Sequence, residues 1–109
     1  MLIRRLEPAD AAGYQRFRLR GLREHPEAFT SAYEEVLLQP LSTPERRLAS
    51  PDEKVWGAFE GGTLAGMIGL NHETRRHNRH KATLVGMYVA SEFAGCGLGQ
   101  ALIQTVLQE

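Results

Sequence analysis

Ala82-Thr83-Leu84-Val85-Gly86-Met87-Tyr88-Val89-Ala90-Ser91-Glu92-Phe93-Ala94-Gly95-Cys96-Gly97-Leu98-Gly99-Gln100-Ala101-Leu102 is the stretch on which the fold turns. Residues 82 to 89 are almost continuously apolar, which predicts a central strand covered on both faces. The glycines at 95, 97 and 99 punctuate a turn. Beyond it Leu98, Ala101, Leu102, Thr105 and Val106 recur at helical spacing. Where a buried strand passes through such a turn into a helix, backbone N–H groups free of obstructing side chains converge on one concave spot. A helix start adds donors without intrahelical partners and the positive end of the macrodipole, a setting suited to a pyrophosphate. The spacing leaves a second reading equally open, a tight turn that needs glycine only for its positive φ. Two other phosphate motifs fail on the residues: a dinucleotide fingerprint needs glycine where Gln100 stands, and a P-loop needs a Gly-Lys-Ser/Thr ending that is absent.

Upstream, Val55-Trp56-Gly57-Ala58-Phe59-Glu60 and Leu64 to Leu70 read as antiparallel strands joined through Gly61-Gly62. The polar run Thr74 to Lys81 connects the second of them to the apolar strand. At the start of the chain, Leu2 to Leu6 predicts a short strand, Pro8-Ala9-Asp10 a turn into a helix, and Ala11 to Glu24 that helix. Two sets of spacings, Tyr14, Phe17, Gly21 and Ala12, Leu19, Leu22, give it a broad apolar surface interleaved with arginines. The helix is expected to end near His25-Pro26, followed by a second helix over Ala28 to Leu38 and a short one over Glu45 to Ser50.

With 109 residues and 42% hydrophobic side chains, one domain over 1–109 is expected. Thirteen basic and thirteen acidic side chains cancel, so no global field draws nucleic acid or an anionic membrane. The single cysteine, Cys96, excludes an internal disulfide framework and a cysteine-based zinc site. No run approaches the ~20 apolar residues that cross a bilayer, and the opening residues lack the apolar stretch of a signal peptide. A cytoplasmic protein is the expectation.

Met87-Tyr88-Val89 followed by Phe93-Ala94-Gly95-Cys96-Gly97-Leu98-Gly99-Gln100-Ala101-Leu102 resembles the acetyl-coenzyme A motif of the GNAT acetyltransferases, an Arg or Gln, two residues, Gly, one residue, then Gly or Ala. Gly97 and Gly99 match; Ala94 stands where that family has Arg or Gln. A lost charge-assisted hydrogen bond at that place is worth on the order of 1.5 to 3 kcal/mol, leaving the backbone donors. Leu19 to Phe29, with Tyr33-Glu34-Glu35, is similar to the first helices of many bacterial members, so the resemblance covers essentially the whole chain. It implies an α/β fold with a mixed, largely antiparallel sheet flanked by helices. It also implies a further strand, helix and final strands after the glycine-turn helix, which this sequence lacks. Either the chain is an incomplete domain or another copy completes it, pairing on the edge presented by Leu84 to Val89.

The resemblance implies an N-acetyltransferase that passes acetyl directly from acetyl-coenzyme A to an amine. Cofactor contacts would come from the backbone of Met87, Tyr88 and Val89 and from the turn residues Gly95, Cys96, Gly97, Leu98, Gly99 and Gln100. Phe29, Tyr33 and Glu34 would border the acceptor pocket, unless Phe29 and Tyr33, four residues apart, simply belong to the core. An alkylamine has a pKa near ~10.4 and must lose a proton before attack. Glu73, then His80, with His72 behind them, are the candidate bases. A solvated turn is the alternative for each, because the loop is so polar. The tyrosine that often protonates the departing thiolate in the family lies in the absent part. Cys96 is given a backbone role. His72, His77 and His80 lack metal-ligand spacing, so no metal is expected, and the basic run Arg75 to Lys81 lacks interleaved aromatics, so no nucleic acid is expected. A degenerate or truncated coenzyme A-binding or interaction domain is the rival function.

Overall fold

The computed structural model describes residues 1–28, 32–72 and 82–108. In chain order its elements are β1 (Leu2–Arg5), α1 (Ala11–Glu24), α2 (Tyr33–Leu37), α3 (Ser42–Ala49), β2 (Glu53–Glu60), β3 (Thr63–His72), β4 (Ala82–Val89) and α4 (Leu98–Leu107). The four strands lie in the order β1-β2-β3-β4, and every neighbouring pair is antiparallel. Side chains alternate across the sheet. Val55 and Met67 point into a core with Leu6, Tyr14, Phe17, Leu48 and Tyr88. Trp56, Ala58 and Ile68 point into a second core with Leu98, Leu102 and Val106. The sheet is thus the middle layer, with α1 and α3 on one face and α4 on the other, which is why β2 over 55–59 and β3 over 64–70 are continuously apolar.

The N-terminal strand is locked to the first helix by charge. Asp10, at the end of a 3-10 turn over Pro8–Asp10, accepts the Glu7 backbone N–H at 2.8 Å. The Arg4 guanidinium holds both its carboxylate oxygens at 2.9 Å and lies 4.5 Å over the Phe59 ring. Asp10→Ala is expected to cost about 1 to 2 kcal/mol in urea unfolding. Arg4 holds the Asp10 carboxyl below its ordinary pKa. Its contribution is therefore complete above the ordinary aspartate pKa and is lost as pH falls through the lower folded value. The variant should lack that part of the acid dependence.

Three sequence expectations need correction. The helix expected over 28–38 is shorter. A 3-10 turn at Pro26–Ala28 and α2 are separate, and Ala32, with φ −85° and ψ 147°, enters α2 from extended backbone. Conversely α3 begins before Glu45, at Ser42, and takes Pro44 into its first turn, where a missing N–H breaks no intrahelical bond. Third, β4 is not central: among the described strands it pairs with β3 alone. Its apolar run reports cover on its two faces, Tyr88 toward α1 and Val89 toward α4, and face cover says nothing about neighbours on the two edges. In α1 the first expected spacing holds, with Tyr14, Phe17 and Gly21 buried; of the second only Leu22 is buried, and Ala12 is exposed.

Candidate functional site

The turn before α4 is built from backbone. After a 3-10 turn at Ser91–Phe93 the chain runs extended through Ala94 and turns at Gly95 (φ 83°) and Gly97 (φ 81°). The Cys96 thiol donates to the Phe93 carbonyl 2.8 Å away, closing the turn. The backbone role expected of Cys96 is thus joined by a side-chain one. Gly97 is the N-cap of α4, no side chain caps the helix, and the first turn carries no acidic residue. The amino-terminal N–H groups of Leu98, Gly99 and Gln100 are donors of the kind that an anion satisfies.

The three glycines differ in what their positions require. At Gly95 and Gly97 positive φ is sufficient reason for glycine. Gly99 is different. It is the second residue of α4, in helical conformation and without positive φ. A Cβ there would meet only Met87 and Val89 atoms at 4.0 Å, an ordinary contact. Neither a positive φ nor a close protein contact accounts for glycine at 99.

Beside this turn β4 is bent. Met67 pairs with Tyr88 and Gly69 with Val85, so Ile68 of β3 faces two residues, Gly86 and Met87. Gly86 supplies the φ of 57° that the extra residue needs. Such a bulge takes backbone groups of Gly86 and Met87 out of the regular ladder. Met87 is 42% exposed, and its Sδ and Cε lie 4.0 Å from where a Cβ on Gly99 would stand. Tyr88, expected to act through its backbone, also uses its side chain. Its ring packs on Phe17 with centroids 4.9 Å apart, and its hydroxyl donates to Glu24 at 2.5 Å. Glu24 also pairs with Arg20 at 3.1 Å, and Arg20 reaches on to Glu92 in the turn. This chain of polar contacts joins α1 to the turn.

Burial and the Glu24 bond push the Tyr88 phenol up to about 12. Because the folded value lies above the ordinary one, this stabilisation is complete below about pH 10 and disappears as pH rises toward 12. Tyr88→Phe should remove about 2 kcal/mol of alkaline destabilisation over that interval, read from urea midpoints at a series of pH values.

A cavity of about 590 Å³ opens between α1, α3 and the edge of β4 that pairs with no other described strand, walled by Tyr14, Val55, Met67, Val85 and the bulge residues Gly86 and Met87. Three charged side chains line it among the described residues: Arg18, Arg47 and Glu53. Arg18 is 8% exposed, and burial pulls its pKa down, an effect that the Tyr14 hydroxyl opposes. Arg47 pairs with Glu53 at 3.4 Å and reaches the Tyr14 hydroxyl at 3.5 Å.

The residues expected to form the cofactor site, Met87 to Val89 and Gly95 to Gln100, come together at the β4 bulge and the α4 start. Tyr33 and Glu34 open α2 but do not line the cavity. Phe29, Glu73, His77 and His80 lie outside the described residues, and His72 is the last residue of β3. Arg18, Arg47 and Glu53 escaped the sequence reading. Arg18 left one signal, a charge four residues after Tyr14 on the apolar side of α1; Arg47 and Glu53 left none.

The acetyltransferase (GNAT) family model matches residues 18–109, and the chain belongs to that family. No curated protein matches the sequence. Among solved structures, a GNAT-family acetyltransferase of Streptococcus pneumoniae is 25% identical, with a TM-score of 0.78 over 98% of this chain and 65% of that one. A ribosomal-protein-alanine N-acetyltransferase of Brucella melitensis is 22% identical, with a TM-score of 0.78 over 99% of this chain and 65% of its own. A predicted acetyltransferase of Clostridium acetobutylicum, solved with acetyl-CoA, is 15% identical, with a TM-score of 0.73 over 98% and 71%. The chain therefore spans about two thirds of the length of these structures. Among the described residues no helix is long and apolar enough to cross a membrane.

Proposed function

We propose that the chain is the cofactor-binding part of an N-acetyltransferase that uses acetyl-coenzyme A and acts on an amine in the cytoplasm. The observation that carries this reading is Gly99, a helical glycine whose missing side chain leaves open the approach to an uncapped helix start. Family membership and the C. acetobutylicum structure with acetyl-CoA support the choice of anion. The N–H groups at the start of α4 would take the pyrophosphate, and the bulged backbone at Gly86 and Met87 would face the thioester arm. The cofactor supplies an activated acyl carbon. The chain's part is to hold it, to bring backbone donors to developing negative charge, and to admit the amine through the cavity.

An ammonium acceptor must first be deprotonated. Glu73 remains the proposed base, ahead of His80: it follows the end of β3 two residues after Asn71, which lines the cavity, and His80 precedes β4 by two. Glu53 is a poorer choice, because its carboxylate is already engaged by Arg47 at 3.4 Å. Phe29, Tyr33 and Glu34 are retained as an outer border of the acceptor site, and a second copy on the β4 edge as the proposed partner.

Calorimetric titration of the chain with acetyl-coenzyme A tests the reading. Saturable binding with release of free coenzyme A on adding amines is expected. A folded chain that binds no cofactor overturns it. A second reading, a coenzyme A-binding domain without turnover, is favoured by Ala94, whose exposed methyl group offers a phosphate no donor. Binding without any coenzyme A release across an amine panel would select it.

A further inference from the structure

The turn that leads into α4 is held lightly. Of residues 91–97 only Phe93 is partly buried, packed against both cores, and the others are exposed. The hydrogen bonds inside the turn are short in range: Phe93 N–H to the Ala90 carbonyl at 2.9 Å, Ala94 N–H to Ser91 at 3.2 Å, and the Cys96 thiol to Phe93 at 2.8 Å. They shape the turn without setting where it stands against the sheet. Gly95 and Gly97 have no atom within 4 Å of where a Cβ would stand, so side-chain packing does not fix them either.

Arg20 of α1 supplies a directional hold. Its Nη1 donates to Glu92 Oε2 at 3.1 Å and its Nη2 to the other carboxylate oxygen, a two-point fork. Its Nε donates to Glu24 Oε2 at 3.1 Å, and the other Glu24 oxygen accepts the Tyr88 hydroxyl at 2.5 Å. One guanidinium therefore ties α1 to Glu92 directly and to Tyr88 through Glu24. The bulge at Gly86 and Met87 lies just before Tyr88, and the glycines follow Glu92. A carboxylate close to a helix start that takes an anion repels that anion. Pairing with Arg20 offsets the charge and leaves the geometry.

We infer that Arg20 is a positioning residue, whose fork on Glu92 sets the glycine turn against the β4 bulge so that both backbone segments meet one ligand. The identity of that ligand rests on the acetyltransferase reading of the site; the placement of the turn does not. With side chains 31% and 54% exposed, the pair adds little to overall stability, so loss of position is separable from loss of fold.

The test compares Arg20→Gln, Glu92→Gln and the double variant with the parent 109-residue chain. Affinity for acetyl-coenzyme A, by calorimetry, is expected to fall about fivefold to tenfold in each, while the melting temperature falls by less than about 5 °C. The sign at Glu92 decides the matter. Charges acting through their fields alone would make Glu92→Gln bind the anion more tightly and Arg20→Gln less tightly. Loss of position weakens both, and the double variant should be within about twofold of the weaker single one. Asp10→Asn, which breaks the Arg4 pair near the opposite edge of the sheet, should leave the affinity unchanged and so controls for general destabilisation. Amide exchange followed by NMR in the unliganded chain reads the placement without cofactor. In Glu92→Gln the N–H groups of Phe93, Ala94 and Ala101 are expected to exchange about threefold faster or more, with those of β2 unchanged. Unchanged exchange at those three residues, or unchanged or tighter cofactor binding by Glu92→Gln, overturns the inference. A parent chain that binds no acetyl-coenzyme A overturns the acetyltransferase reading instead, and the exchange rates alone then decide the role of Arg20.

Discussion

The Gly97→Glu chain is expected to lose acetyl-coenzyme A binding by a hundredfold or more while remaining folded. Gly97 is the N-cap of α4 with φ 81°, and no atom lies within 4 Å of where its Cβ would stand. A side chain placed there meets no protein wall. The folding cost is the left-handed backbone conformation alone, about 1 to 2 kcal/mol for a non-glycine residue. Its carboxylate, however, enters the spot that the α4 N–H groups surround. Two unit charges at 4 Å repel by about 4 kcal/mol at an effective dielectric near 20, and partial solvent exposure reduces this to about 3, or a hundredfold in affinity. Calorimetry gives the affinity, and a melting curve separates binding loss from unfolding. An unchanged affinity would place the phosphates elsewhere and remove the main support for the cofactor site.

Trp56→Ala should be the most damaging of single substitutions away from that turn, at about 3 to 5 kcal/mol. Trp56 is 2% exposed and sits on β2 between Arg5 of β1 and Ile68 of β3, facing α4. Its removal leaves a cavity between the sheet and α4, which packed surroundings collapse only in part. Domains of this size have about 5 to 15 kcal/mol in total, so the variant should melt about 15 °C or more below the parent. Circular dichroism in urea is the measurement, since Trp56 is the only tryptophan and its fluorescence is lost with it. Leu38→Ala, at an 84% exposed position, should change stability by less than about 0.5 kcal/mol. A cost near 1 kcal/mol for Trp56→Ala would mean that α4 is not packed on β2 as described.

Reading one dimension of chain recovered the glycine turn and left the cavity beside α1, α3 and β4 unseen, and the difference has a physical basis. Gly95, Cys96, Gly97, Leu98, Gly99 and Gln100 are neighbours in sequence and act through backbone, so a local pattern contains nearly everything about them. Even so, the sequence could not say which of the glycines sit at positive φ; that required the backbone angles of Gly95 and Gly97. The cavity, in contrast, takes Arg18 from α1, Arg47 from α3 and Glu53 from β2, three elements with no fixed spacing between them. The Arg20–Glu92 pair spans 72 positions and is equally invisible to local reading.

Sequence alone determined the order of the elements, the strand-turn-helix around Gly97, the hairpin through Gly61-Gly62 and the extent of α1, because periodicity and punctuation are local properties of backbone and side-chain shape. Tertiary structure decided that β4 is an edge among the described strands, that Gly86 makes it bulge opposite Ile68, and that Arg18 is buried beside Arg47. An apolar strand looks the same in sequence whether it has one neighbour or two, and an arginine on a helix becomes a buried charge only when another layer is folded over it.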